Sequence, residues 1–217
     1  MIVVDRVAKS YGRFKALEEV SFELWEGESA VILGPSGSGK TTLLRLIAGL
    51  EIPDGGEIYL NGRLASRRGW ALPPHLRGIG FVFQTSALWP HMTVAQNILL
   101  GLHRLKREDA RARLQELLDR TGLTEVAGCY PDQISGGQAR RAALARSLAP
   151  RPRYLLMDEP LTNLDAETKQ KMLELIKKTA GGPAISLVYV THDAWEAEQF
   201  GGKILVLERG RLKNGAP

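Results

Sequence analysis

Near the start of the chain, in VVDRVAKSYG and then ALEEVSFELWEG, apolar side chains recur at about every second position with glycine-containing turns between them. That is the period of strands, and it predicts a small antiparallel sheet. A short apolar strand, SAVILG, follows, then a glycine-rich loop, then TLLRLIAGL, where Leu43, Leu44, Ile47 and Leu50 fall at helical spacing. From about Thr93 to Thr121 the pattern is helical, with Leu114, Leu117 and Leu118 on one face and Gly122 placed to stop the helix. The last third alternates strand YLLMD, helix AETKQKMLELIKKT with Met172, Leu175 and Ile176 on one side, strand ISLVYV, short helix AWEAEQ and strand KILVLE. Such an order predicts an α/β fold whose parallel sheet is flanked by helices. Pro73 and Pro74 read as a loop rather than a domain linker.

Composition narrows this picture. With 217 residues, 44% of them hydrophobic, the chain can bury a full core as one domain over residues 1–217, with a helical lobe at about 88–145 inserted into it. A single cysteine, Cys129, excludes an intramolecular disulfide, and MIVVDRVAKS lacks the long apolar stretch of a secretory signal; a reducing, cytoplasmic setting is expected. No apolar run approaches the roughly 20 residues that cross a bilayer as a helix. Any membrane link is therefore expected to come through a partner. The net charge of +5 raises nucleic acid or an anionic surface as partners, and Arg104, Lys106, Arg107, Arg111 and Arg113 cluster, but Glu108, Asp109 and Glu116 interleave with them as on a solvated face.

Two segments carry chemistry. Gly34, Pro35, Ser36, Gly37, Ser38, Gly39, Lys40 and Thr41, with Thr42 next, fit GxxxxGK[ST] between a predicted strand and a predicted helix. Glycines there let the backbone wrap a polyphosphate with its N–H groups, Lys40 reaches the terminal phosphates and Thr41 ligates Mg²⁺. Downstream, Tyr154 to Asp158 and Glu159 form an apolar strand ending in two carboxylates, at the sheet edge where ligands of such folds sit. Asp158 can hold Mg²⁺ through water, leaving Glu159 to polarise an attacking water. Together these define a nucleotide hydrolase with a phosphate-binding loop, a class that spans kinases, GTPases and helicases.

A third segment decides among them. Ile134-Ser135-Gly136-Gly137-Gln138, followed by ARRAALARSLA and then the Asp-Glu strand, resembles the signature motif of ABC ATPases, the nucleotide-binding subunits of ABC transporters. The resemblance covers essentially the whole chain: Gln84 matches the family's Q-loop, Leu164-Asp165 its D-loop, His192 its switch histidine and Tyr11 its adenine-stacking aromatic. Departures are Ile134 where leucine is usual, Ala139 where a longer polar residue is common, and Thr162-Asn163 ahead of the D-loop. None removes a group that would contact phosphate.

The resemblance implies a RecA-like core of the phosphate-loop NTPase class, an N-terminal antiparallel β subdomain and an inserted helical subdomain. It implies ATP and Mg²⁺ as cofactors, Glu159 as base, His192 on the γ-phosphate, and Gln84 sensing Mg²⁺ and linking the site to the helical lobe. Ser135 and Gly137 of a second copy would close the open side of the phosphate, giving a head-to-tail ATP-bound homodimer. Integral membrane subunits and a solute-binding protein are the further partners implied, with the chain peripheral on the cytoplasmic face. The stretch TSALWPHMTVAQNILLGL is similar to the part of import ATPases that meets coupling helices; Leu88, Trp89 and Met92 suit such a groove if exposed and the core if not.

An ABC ATPase acting on DNA or ribosomes would also account for the basic charge. Chromosome-type members carry a long coiled coil between phosphate loop and signature, and ribosome-acting members carry two ATPase halves; this chain has a short interval and one copy of each motif. A GTPase reading lacks any NKxD-like guanine motif. Many import ATPases of this look carry a C-terminal regulatory domain, whereas this sequence ends at RLKNGAP after its last predicted strand.

Overall fold

In the computed structural model, which describes residues 1–103, 105–180 and 185–213, the alternating stretches at the start form β1 (Ile2–Tyr11) and β2 (Phe14–Leu24). They pair antiparallel, Ile2 opposite Leu24 and Tyr11 opposite Phe14. Alternation puts Ile2, Val4, Val20, Phe22 and Leu24 inside and Ser21 and Glu23 outside. The chain continues through β3 (Ser29–Leu33) and α1 (Lys40–Ala48). Three further strands, β4 (Gly55–Leu60), β5 (Arg63–Arg67) and β6 (Trp70–Ala71), were not evident from the sequence pattern. They extend the first sheet in the order β2-β1-β4-β5-β6.

Leu50 corrects the helical reading of TLLRLIAGL. Helix α1 ends at Gly49, whose left-handed backbone (φ 76°) returns its N–H to Arg45 and Leu46, and Leu50 lies beyond this cap, 45% exposed.

A second sheet contains β3, β7 (Ile79–Val82), β8 (Tyr154–Asp158), β9 (Ser186–Thr191), β10 (Lys203–Glu208) and β11 (Arg211–Leu212) in the order β11-β10-β3-β9-β8-β7. All neighbours from β10 to β7 run parallel, and β11 returns antiparallel. Both faces are buried, so its strands read as continuous apolar runs. Val31, Leu155, Met157, Leu187 and Tyr189 point to one core, while Ala30, Ile32, Leu156, Val188 and Val190 point to the other.

The first of these cores is shared with α2 (Val94–Leu99), α3 (Arg107–Thr121) and α4 (Gly136–Leu148), which lie between β7 and β8 in the chain, and with α5 (Ala166–Ala180). A short helix, α6 (Ala194–Phe200), joins β9 to β10. Gly122 stops α3 in a left-handed conformation, as its position predicts. Of the basic cluster, Arg104 lies outside the described residues, Lys106, Arg107 and Arg111 are exposed, and Arg113 pairs with Glu116 at 2.8 Å. Among the described residues no helix is long and apolar enough to cross a membrane.

Candidate functional site

Four adjacent parallel strands, in the order β3-β9-β8-β7, end on the same edge of the sheet. The phosphate loop leaves β3, His192 follows β9, Asp158 and Glu159 end β8, and Gln84 lies just past β7. Strand order thus gathers side chains that are far apart in sequence, at the position where α/β sheets place ligands.

Gly39 turns the loop into α1 with φ 104°, a conformation that strains L side chains, and a Cβ there would stand 2.4 Å from the Ala16 carbonyl oxygen. Lys40 is buried, its ammonium donating to the Gly34 carbonyl at 2.7 Å and the Pro35 carbonyl at 3.0 Å and lying 3.3 Å from Glu159 Oε1. Thr41 Oγ1 donates to Asp158 Oδ1 at 2.9 Å. Burial holds the Asp158 carboxyl above the ordinary carboxylate range, with the Thr41 hydroxyl opposing that shift.

Glu159 occupies left-handed backbone (φ 45°), uncommon for a non-glycine residue, while its N–H donates to Val190 O at 3.0 Å. This turn aims the carboxylate back over the loop. Its Oε2 lies 2.9 Å from His192 Nδ1 and accepts from Thr162 Oγ1 at 3.3 Å. Lys40 and His192 therefore hold the carboxylate from two sides.

The buried Ser38 hydroxyl has no hydrogen-bond partner, an orphan polar group in the loop. Beside it lie an ammonium, the N-terminus of α1, and a hydroxyl-carboxylate pair of hard oxygen donors. This donor set fits a polyphosphate with Mg²⁺, which binds through one or two protein oxygens plus phosphate.

Other predicted residues lie further out. Tyr11 is 46% exposed, its hydroxyl donating to Glu51, and Gln84 is exposed beyond β7. Of the three apolar residues after it, Trp89 is exposed, whereas Met92 is half-buried and Leu88 packs against the core, so the groove reading holds for Trp89 alone. Buried Asn97 shapes that segment, accepting from Trp89 N–H at 2.8 Å and donating to the carbonyls of Trp89, Met92 and Thr93. Arg146 of α4 clamps it further by donating to the carbonyls of Ala87 at 2.8 Å and Ser86 at 3.3 Å.

Ser135 caps α4: its Oγ accepts from Gln138 N–H at 3.2 Å, and Gln138 Oε1 accepts from Ser135 N–H at 2.8 Å. The Gln138 side chain is thus engaged in its own chain. The exposed first turn leaves the Gly136 and Gly137 amides without intrahelical acceptors. Ser135, Gly136, Gly137 and Asp165 share a cavity of about 800 Å³ whose lining includes no residue from 34 to 42. Asp165 caps α5 by accepting from Thr168 N–H at 2.9 Å, which holds its carboxyl below the usual range. The fold thus unites Lys40, Thr41, Asp158, Glu159 and His192 and leaves the signature on a separate wall.

Sequence reasoning missed Asn97, Arg146, Lys169 and Glu196. Asp193-x-x-Glu196 carries the spacing of a capping box, a readable signal, but Glu196 turns inward rather than back to its cap.

A family model described as "ABC transporter" matches residues 17–162, two thirds of the chain, taking in the phosphate loop, the signature, Asp158 and Glu159. The chain belongs to the ABC transporter family. Among its ABC relatives are the sulfate/thiosulfate import ATP-binding protein of Gloeobacter violaceus, 44% identical over all of this chain and 62% of that protein, and the Fe(3+) ions import ATP-binding protein of Serratia marcescens, 45% identical over 97% of this chain and 61% of that protein. This ABC chain spans about three fifths of the length of those relatives. A dimeric ATP-binding cassette solved in a post-hydrolysis state with ADP and Pi superposes with a TM-score of 0.85 at 36% identity, covering 99% of this chain and 97% of that one.

Proposed function

We propose that this chain is the ATP-hydrolysing subunit of an import-type ABC transporter, working on the cytoplasmic face with separate integral membrane subunits and a solute-binding protein. The observation that carries the reading is the convergence of Lys40, Glu159 and His192 beside the Thr41-Asp158 pair. The import ATP-binding relatives are named for sulfate/thiosulfate, Fe(3+), trehalose/maltose and spermidine/putrescine. Such varied cargo at similar identity supports a shared motor whose cargo is chosen by other subunits.

Without nucleotide, Lys40 is neutralised by Glu159. An arriving γ-phosphate, more highly charged, takes over the ammonium and frees the carboxylate. Glu159 then accepts a proton from the water that attacks phosphorus as the bond to ADP breaks, and His192 orients that water and the γ-phosphate. Mg²⁺ held through Thr41 and Asp158 supplies charge neutralisation on the phosphates. Gln84 links this metal side to the segment that carries Trp89. Tyr11 stacks on the adenine. The opposite side of the phosphate is closed by Ser135, Gly136, Gly137 and Asp165 of a second copy, since they stand on another wall of their own chain.

Light scattering of Glu159→Gln with and without MgATP tests these assignments together. ATP is expected to convert monomer to dimer, with hydrolysis reduced by about 100-fold or more. Near-normal turnover would remove Glu159 as base, and an unchanged mass with ATP demonstrably bound would remove the composite site.

A further inference from the structure

Five residues outside the sequence-derived site form a closed polar cluster beside His192. Glu196 is only 3% exposed, and its Oε2 accepts from Tyr189 Oη at 2.9 Å and Thr191 Oγ1 at 2.7 Å. Its Oε1 lies 2.8 Å from Lys169 Nζ, which also donates to Asp193 Oδ2 at 2.9 Å. Asp193 closes the ring by donating its N–H to Thr191 Oγ1 at 3.0 Å. Burying the Glu196 carboxylate is expensive even against Lys169, whose side chain is 20% exposed, and apolar side chains of like volume often serve stability equally well. Placement gives this one a role. Thr191 and Asp193 are the two neighbours of His192, so the cluster fixes the backbone on both sides of that residue.

Lys169 comes from another element, the first turns of α5. Its N–H donates to Asp165 O at 2.9 Å, and Asp165 caps the helix through Thr168. Asp165 and Leu164 in turn line the same cavity as the signature residues Ser135 to Gly137. One side chain therefore spans from the turn beside the signature wall to the loop that presents the histidine.

We propose that the Lys169–Glu196 pair is a positioning strut that sets His192 against Glu159 and transmits displacement of the Leu164–Asp165 turn to the histidine. It rests on the reading of His192 given above. The strut touches no reacting atom. Through it, a second copy pressing on the 164–165 turn adjusts the distance between His192 and the attacked phosphate.

A double-mutant cycle between Lys169→Ala and His192→Ala in the whole chain, with kcat, KM for ATP and equilibrium ATP binding read for each, tests this. Lys169→Ala is expected to lower kcat by about tenfold or more with ATP binding retained, as misplacement by an ångström does. Lys169→Arg, which keeps the ion pair, is expected to restore most of the rate. Adding Lys169→Ala to His192→Ala should lose nothing further. Multiplying losses would make the pair merely structural and overturn the strut, as would a kcat unchanged by Lys169→Ala beside an impaired His192→Ala. Near-normal kcat in His192→Ala would instead overturn the histidine reading itself, and the strut with it. If Lys169→Ala fails to fold, the Lys169→Gln/Glu196→Gln pair leaves no buried charge, and the same cycle is read on it.

Discussion

Burial raises the Asp158 carboxyl, and Thr41 opposes that only in part. The native chain therefore holds this proton more tightly than the unfolded chain, and the ionised form opposes folding at any pH above the ordinary value of about 3.9. Asp158→Asn is thus expected to melt higher than wild type in nucleotide-free scans at pH 7, by about 2–4 °C for each kcal/mol recovered, while losing Mg²⁺-dependent hydrolysis. The gain is full above the raised native pKa, fades as pH falls from there towards the unfolded value and is absent below it; an equal or lower Tm at pH 7 would count against the account. Residues such as Lys40, Thr41, Asp158 and Glu159 were legible in the sequence because consecutive chain positions fix their spacing. Glu196 and Lys169 meet only through the packing of α5 against α6 and β9, so the pair has no signature along the chain. Gln138 was legible as part of a motif, but not as a side chain engaged in capping.

Between β5 and α1, Arg77 does the joining. Its buried guanidinium donates to the carbonyls of Leu72, Ala65, Leu46 and Ile47 and to Ser66 Oγ, closing the C-terminus of α1 where the helix dipole favours a cation. Burial pulls its pKa down to about 10, still well above neutrality. Arg77→Ala should lower stability to urea by at least about 3 kcal/mol through the acceptors left dry, and Arg77→Lys should fall between because an ammonium reaches fewer of them. A loss under about 1 kcal/mol for alanine would show that water satisfies those carbonyls. The long strands at the start of the chain were legible from alternation, as was the parallel order from strand and helix succession. Strands β4, β5 and β6 were not: they are short and separated by turns at Gly62 and Gly69, and only pairing of β4 with β1, far away in the sequence, makes them a sheet. Leu50 failed for a local reason, since a helical spacing says nothing about a cap that ends the helix one residue earlier.

On the composite site proposed above, with phosphate loop and signature on different walls of one chain, a complete site takes two copies and its abundance depends on mass action. Hydrolysis per mole of this chain alone is expected to rise with protein concentration in the dilute range and then level off; a rate per mole constant across that range would show that one copy suffices. Of the basic cluster, Arg113 pairs with Glu116, which Arg120 also reaches, while Lys106, Arg107 and Arg111 stand exposed. Helix α4 joins the two functional regions physically. It carries the signature at its first turn and Arg146 near its last, where the guanidinium grips the carbonyls of Ser86 and Ala87 just ahead of Trp89. Thirteen residues make a rod of about 20 Å that neither shortens nor stretches appreciably. Signature and Trp89 segment are thus tied through one stiff rod, and under the proposed function a push at either end would arrive at the other in the same stroke.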